Sequence, residues 1–163
     1  MIYLDNNATT SVSHEVLTAM LPFLAQEFGN PSSKYYRLAT TAQTAVEKAR
    51  AQVAALVYGT PDEIIFTSGA TESNNLVIKG VADYYVDKGR HLITSMVEHK
   101  SVLEAFHYLA ERGYEITILP TDKYGRVQPD KLEKAIRPDT ILISIMWGNN
   151  ETGTLNDVET LAQ

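Results

Sequence analysis

The sequence predicts an α/β fold: a mostly parallel sheet with helices on both faces. Three observations predict it. From residue 63 onward, four short apolar runs alternate with segments of helical periodicity. Those runs are apolar and β-branched and are flanked by helices, which implies a parallel sheet covered on both faces. Apolar residues make up 44% of the 163, enough for the core such a sheet needs.

Each element has its own justification. "IYLD" near the start reads as a short strand or extended arm, and residues 1–12 as an N-terminal arm to a domain spanning 13–163. "SHEVLTAMLPFLAQEFG" is helical, with Ser13 as cap, Glu15 in the first turn and Gly29 past the end. Pro22 lies inside it and is expected to kink it. After the loop "NPSSKYY", the segment 38–59 carries Ala42, Ala45, Val46, Ala49, Val53, Leu56 and Val57 at helical spacing, stopped by Gly59. Strand "EIIFTS" precedes a helix over 70–87, and strand "HLITSM" a helix over 99–112. Strand "YEITILP" leads through the turn "TDKYG" to the short helix "PDKLEKAIR". Strand "TILISIMWG" is followed by "NNETGTLNDVETLAQ", whose last part starts a helix. A helix that short is marginal without something to pack on, so the C-terminus reads as an interruption rather than a domain end.

Composition narrows the function. The net charge is −6 and no basic run is long, which argues against a nucleic-acid groove. The longest apolar stretch falls far short of the roughly 20 residues that span a bilayer. The N-terminus lacks a basic segment followed by an apolar one, so a cytoplasmic location is expected. With no cysteine, the chain has no disulfide, thiolate metal ligand or thiol nucleophile of its own. No metal site is expected.

In a parallel sheet, ligands bind beyond the carboxyl ends of the strands. Three polar clusters fall there. Ser68, Gly69, Ala70 and Thr71 open the helix over 70–87, where free amides and the helix dipole favour an anion. The hydroxyls of Ser68 and Thr71 can donate to that anion, or one of them simply caps the helix. Neither GxGxxG nor a GxxxxGK[ST] loop is present. Glu98 and His99 follow the second run. His99 suits proton transfer or stacking on an aromatic ring, or else caps its helix. Asn149, Asn150 and Glu151 follow the last run and either orient a ligand oxygen or end the strand in an Asx-turn. His14, His91 and His107 read as structural, and Trp147 as core or interface.

Taken together, "YLDNNATT", "GNPSS", "FTSGATESNN", "VEHKSV" and "SIMWGNNETG" resemble the cysteine desulfurases, in the same order and at plausible spacing. These enzymes belong to the class V aminotransferases, which depend on pyridoxal 5'-phosphate and have the fold type I architecture. The resemblance covers the whole chain and corresponds to the first two-fifths or so of a typical member. It implies an incomplete large domain of that architecture. Ala70 and Thr71 would hold the cofactor phosphate. His99, the catalytic candidate, would stack on the pyridine ring and assist proton transfer. Asn150 would bond the cofactor's phenolic oxygen or the substrate. Asn6, Ala8, Thr9 and Asn30 would lie near the mouth of the site. Tyr36 and Ala39 stand where the family usually has His and Gly.

The family reaction takes sulfur from L-cysteine, leaving alanine and an enzyme persulfide, and passes it to iron–sulfur clusters or tRNA thiolation. The resemblance places the cofactor-bearing lysine, the aspartate at the pyridinium nitrogen, the sulfur-accepting cysteine and the substrate-binding arginine beyond residue 163. Lys100 is not expected to replace that lysine, since neighbouring helical positions point about 100° apart. The chain alone is therefore expected to be inactive. Its expected partners are a second copy or a complementary C-terminal half, and a sulfur acceptor protein. A competing expectation is a non-catalytic remnant that binds a desulfurase or a sulfur-transfer partner through an exposed strand edge. A different class V reaction, such as selenocysteine lysis or a kynureninase-like cleavage, is a third.

Overall fold

A computed structural model describes residues 2–163. They form two compact units, the first ending at Phe66 and the second spanning Thr67–Gln163.

In the first unit, the arm is exposed and contains no strand; a turn brings the amides of Ala8 and Thr9 onto Asp5 O at 3.1 and 3.2 Å. Helix α1, His14–Ala25, starts at Ser13, whose hydroxyl accepts from Val16 N at 3.3 Å. Pro22 lies within α1 near its end, and its carbonyl accepts from both Gln26 N and Glu27 N. Helix α2, Arg37–Leu56, buries Ala39, Ala42 and Ala54. Gly29 approaches the first turn of α2 so closely that a Cβ would sit 2.1 Å from Leu38 O, so only glycine fits there.

The expected strand over 63–68 is absent. A 3-10 turn, Pro61–Glu63, closed by a capping box with Thr60, is followed by irregular extended backbone. Ile65 and Phe66 are exposed. An extended apolar run becomes a strand only when another strand takes its ladder of hydrogen bonds. Here no strand pairs with it among the described residues, and the Arg50 guanidinium takes the Ile64 carbonyl instead.

The second unit holds helix α3 (Ala70–Tyr84), strand β1 (His91–Ser95), helix α4 (Lys100–Ala110), strand β2 (Glu115–Leu119), helix α5 (Pro129–Ala135), strand β3 (Thr140–Ser144) and a single turn, α6 (Val158–Leu161). The sheet is parallel, with order β2-β1-β3. Both faces are covered, as the apolar runs predict. Leu92 packs with Ile78 and Ala82 of α3 and with Val102, Ala105, Phe106 and Leu109 of α4. Ile93, its neighbour on the opposite face, packs with Leu119, Val127 and Leu132 of α5. Central β1 is buried along its whole length.

The first residue of that strand is polar. His91 is fully buried, with Nδ1 2.7 Å from Thr140 Oγ1 on β3 and Nε2 2.8 Å from Thr117 Oγ1 on β2. Its structural reading thus stands, and both ring nitrogens are satisfied. Burial pushes its pKa below the usual histidine value, helped by the Arg137 charge and opposed by Asp139 and Glu115. Between the lowered folded pKa and the unfolded value near 6.5, the unfolded chain binds the extra proton. The contribution to stability is therefore complete above about pH 6.5 and lost as pH falls through the folded pKa. Thermal melts from about pH 7.5 down to about pH 5 are expected to lose Tm, and His91→Gln is expected to flatten that slope. An equal slope in both proteins would reject the assignment.

Candidate functional site

The three polar clusters lie in the second unit and are tied together by hydrogen bonds. The first opens α3. Gly69 is the N-cap and no side chain caps the turn. Ser73 N reaches Gly69 O at 3.1 Å, which leaves the amides of Ala70, Thr71 and Glu72 without an acceptor among the described residues. Ser68 does not cap the helix, nor is its hydroxyl free. Glu72 turns back and accepts from both Ser68 N (2.6 Å) and Ser68 Oγ (2.7 Å). The Ser68 amide, then its hydroxyl, hold the Glu72 carboxyl below its usual pKa. A Cβ built on Gly69 meets no atom within 4 Å. Ala70, Thr71 and their neighbours are exposed, so the turn is open and its amides suit a phosphate-sized anion.

The second cluster is the β1–α4 junction. His99 is the N-cap of α4, in extended conformation, and is itself exposed. Its Nδ1 accepts from Ser101 N at 3.1 Å and lies 2.8 Å from Ser101 Oγ. The capping reading of His99 is thus observed through Nδ1, while Nε2 makes no hydrogen bond among the described residues. Lys100 begins the helix proper. Glu98, only 9% exposed, faces the other way. Its Oε1 accepts from Ser95 Oγ at 2.6 Å and from Met146 N at 2.7 Å. Burial raises its pKa, opposed by those two hydrogen bonds.

The third cluster follows β3. The two asparagines differ in how far their side chains are committed. Asn149 is buried and makes the Asx-turn: Oδ1 accepts from Glu151 N (2.8 Å) and Thr152 N (2.9 Å). Its Nδ2 crosses to Val97 O at 3.0 Å. Asn150 is half-buried, and its amide meets only Glu151 Oε1 at 3.3 Å. Among the described residues, Asn150 thus keeps one amide hydrogen and its side-chain oxygen uncommitted. Trp147 is 67% exposed, so it is not a core residue.

These contacts join the clusters. Glu98 and Asn149 clamp the His99 loop to the Asn150 loop. Asn74 Nδ2, one turn beyond Ala70 on α3, donates to Ser101 Oγ at 2.9 Å. Asn156, also buried, closes the far side: its Oδ1 accepts from Val127 N at 2.9 Å and its Nδ2 donates to Met146 O at 2.8 Å. Sequence reasoning assigned Asn74, Ser101 and Asn156 no role. Ser101 carries a signal, since a hydroxyl two residues past a capping histidine reaches its ring. Asn74 and Asn156 carry none, because their partners lie 27 and 29 residues away.

Asn6, Ala8, Thr9 and Asn30 belong to the first unit. Thr9 Oγ1 bonds the Tyr3 hydroxyl. Asn30 Oδ1 holds Ser32 N at 2.9 Å, and Asn30 N donates to the Tyr36 hydroxyl at 3.2 Å. Ala39 is fully buried. Among the described residues, no group of three His, Asp or Glu side chains is placed to hold a metal ion. No helix among them is long and apolar enough to cross a membrane.

The chain is similar to several known proteins. Residues 2–163 match the family described as aminotransferase class-V. Cysteine desulfurase IscS of Dictyoglomus turgidum is 53% identical over 162 residues, covering 99% of this chain and 41% of the relative. The IscS of an Anaeromyxobacter species is 49% identical over 162 residues, covering 99% and 40%. A solved NifS-like protein superposes with TM-score 0.94 at 43% identity, covering 99% of this chain and 44% of that one. The structure of SspA in complex with cysteine gives 0.90 at 41%, covering 98% and 46%. The chain spans about two-fifths of the length of the curated relatives it matches. It is a member of the class V aminotransferase family.

Proposed function

We propose that the chain is the N-terminal portion of a pyridoxal 5'-phosphate-dependent cysteine desulfurase, which converts L-cysteine to L-alanine and a persulfide sulfur. The observation that carries the proposal is the uncapped first turn of α3, joined through Asn74 and Ser101 to a histidine with one free ring nitrogen. The likeness to cysteine desulfurases, and to SspA solved in complex with cysteine, supports the same reading. Residues 1–12 are an arm, and 13–163 are part of the cofactor-binding large domain.

Each residue contributes by its own chemistry. The amides of Ala70 and Thr71 hold the cofactor phosphate, aided by the α3 dipole, an effect of about 0.3–1 kcal/mol. His99 offers its ring for stacking and Nε2 for moving a proton. Asn150 offers its amide to the phenolic oxygen or to the substrate. When bound, pyridoxal 5'-phosphate supplies an electron sink for cleavage chemistry at the substrate. The covalent attachment and the sulfur-accepting thiol lie on polypeptide outside this chain, so the chain alone is inactive. It works in the cytoplasm with a second copy or a complementary C-terminal half, and passes sulfur to an acceptor protein for iron–sulfur clusters or tRNA thiolation.

Titrating pyridoxal 5'-phosphate into the isotopically labelled chain is expected to shift the amide resonances of Ala70, Thr71 and Glu72 together with the ring signals of His99. Inorganic phosphate is expected to reproduce the first set only. Shifts confined to other residues would reject the reading. Borohydride reduction is expected to leave no cofactor covalently on the chain. Addition of a C-terminal half from a relative is expected to restore alanine release from cysteine. Failure of a well-folded half to do so would favour the non-catalytic remnant.

A further inference from the structure

We propose that Ser101 and Asn74 are positioning residues that set which nitrogen of His99 carries the proton. The inference rests on the reading of His99 as a proton-handling residue, and deepens it.

The argument is one of donors and acceptors. The Ser101 backbone N–H can only donate, and it points at His99 Nδ1 from 3.1 Å. That nitrogen must therefore be the unprotonated one in the neutral ring. The proton sits on Nε2, which makes no hydrogen bond among the described residues. Ser101 Oγ lies 2.8 Å from the same Nδ1. A hydroxyl can face either way, so by itself it says nothing about the tautomer. The Ser101 amide already makes Nδ1 an acceptor, so the hydroxyl donates to it. Asn74 Nδ2 donates to Ser101 Oγ from 2.9 Å, takes one of its two acceptor lone pairs and holds the hydroxyl in place. The order of donation is thus Asn74 amide to Ser101 hydroxyl to His99 Nδ1.

Ser101 is 9% exposed and Asn74 half-buried, so water competes little for these bonds. The relay also spans two helices. Asn74 lies on α3, one turn from Ala70 and Thr71, while Ser101 and His99 lie at the start of α4. The same three side chains therefore orient the histidine and fix it relative to the open turn.

The test uses the 163-residue chain without cofactor, with labelled histidine nitrogens, at a pH where the ring is neutral. Nitrogen–proton correlations distinguish the two tautomers directly. The Nε2–H form is expected for His99. Loss of one such hydrogen bond corresponds to about a fivefold change in tautomer ratio. Ser101→Ala is expected to raise the Nδ1–H form by about that factor. Ser101→Thr, which keeps the hydroxyl, is expected to restore the wild-type ratio, and Asn74→Ala to fall between. His91, bonded at both nitrogens elsewhere in the sheet, is the internal reference for intact folding.

A purely structural cap would leave the tautomer ratio the same in Ser101→Ala and Ser101→Thr, and that result would overturn the proposal. So would an Nδ1–H tautomer in the wild-type protein, which needs no variant to detect. Because the tautomer is read without cofactor, an unresponsive His99 on addition of pyridoxal 5'-phosphate counts against the proposed function alone.

Discussion

Asn149→Ala is expected to cost about 3 kcal/mol of stability and to loosen the hairpin between Met146 and Asn156. Four hydrogen bonds disappear together: two accepted by Oδ1 from Glu151 N and Thr152 N, and two donated by Nδ2, to Val97 O and, more weakly, to Met146 Sδ. Asn149 is only 6% exposed, so water cannot fully replace them. Asn149→Asp separates the two functions of the side chain. It keeps the oxygen that closes the turn and loses the donor that reaches Val97, so an intermediate loss is expected. Chemical denaturation measures the stability. Hydrogen exchange at Glu151 and Thr152 shows whether the turn has opened. Native-like protection at both amides in Asn149→Ala would refute the anchoring role. If the turn opens, Asn150 loses its fixed direction, although its own side chain is untouched.

Glu98→Ala is expected to cost about 2 kcal/mol and to speed exchange of the Met146 amide roughly 30-fold. The Glu98 oxygen is the shared acceptor for Ser95 Oγ and Met146 N, and Ser95 is fully buried. Removing it strands two donors, while removing a buried charge offsets part of that loss. Glu98→Gln is the informative partner. Its amide oxygen can accept both bonds, and no charge is buried. The sign follows from the raised carboxyl pKa. Stability from a protonated Glu98 is complete below the unfolded value of 4.5 and is lost as pH rises through the folded pKa. At neutral pH the glutamine variant is therefore expected to match or exceed the wild type and to lack that pH dependence. A glutamine variant as unstable as the alanine one would show that the carboxylate charge, rather than the acceptor, holds the loops together.

The two clamps explain why the site was only partly legible in the sequence. The α/β class could be read because short β-branched, apolar-rich runs such as 91–95 and 140–144 alternate with helical segments, as they do in a parallel sheet. The helix starting near residue 70 and the capping histidine at its neighbour's start were readable because caps are local. The strand expected over 63–68 failed for the opposite reason. Strandedness belongs to a pair of segments, and its residues have no neighbour to ladder with. The residue pattern by itself left Asn149 and Asn150 open, since two identical side chains differ only in which one meets Val97 O. The Ser68 hydroxyl was claimed by Glu72, a competition that spacing alone does not decide.

Local chemistry, then, was determined by the amino-acid order alone: apolar-rich runs, helix starts, the absence of cysteine, and a set of motifs placed in a recognisable succession. Which polar groups stay uncommitted and which are consumed in holding the frame was decided by the tertiary structure. The physical reason is that a hydrogen-bonding group has a limited number of partners. Whether Asn74 reaches Ser101, Glu98 reaches Met146 or Asn149 reaches Val97 depends on parallel strands and packed helices bringing together residues some 27 to 52 positions apart.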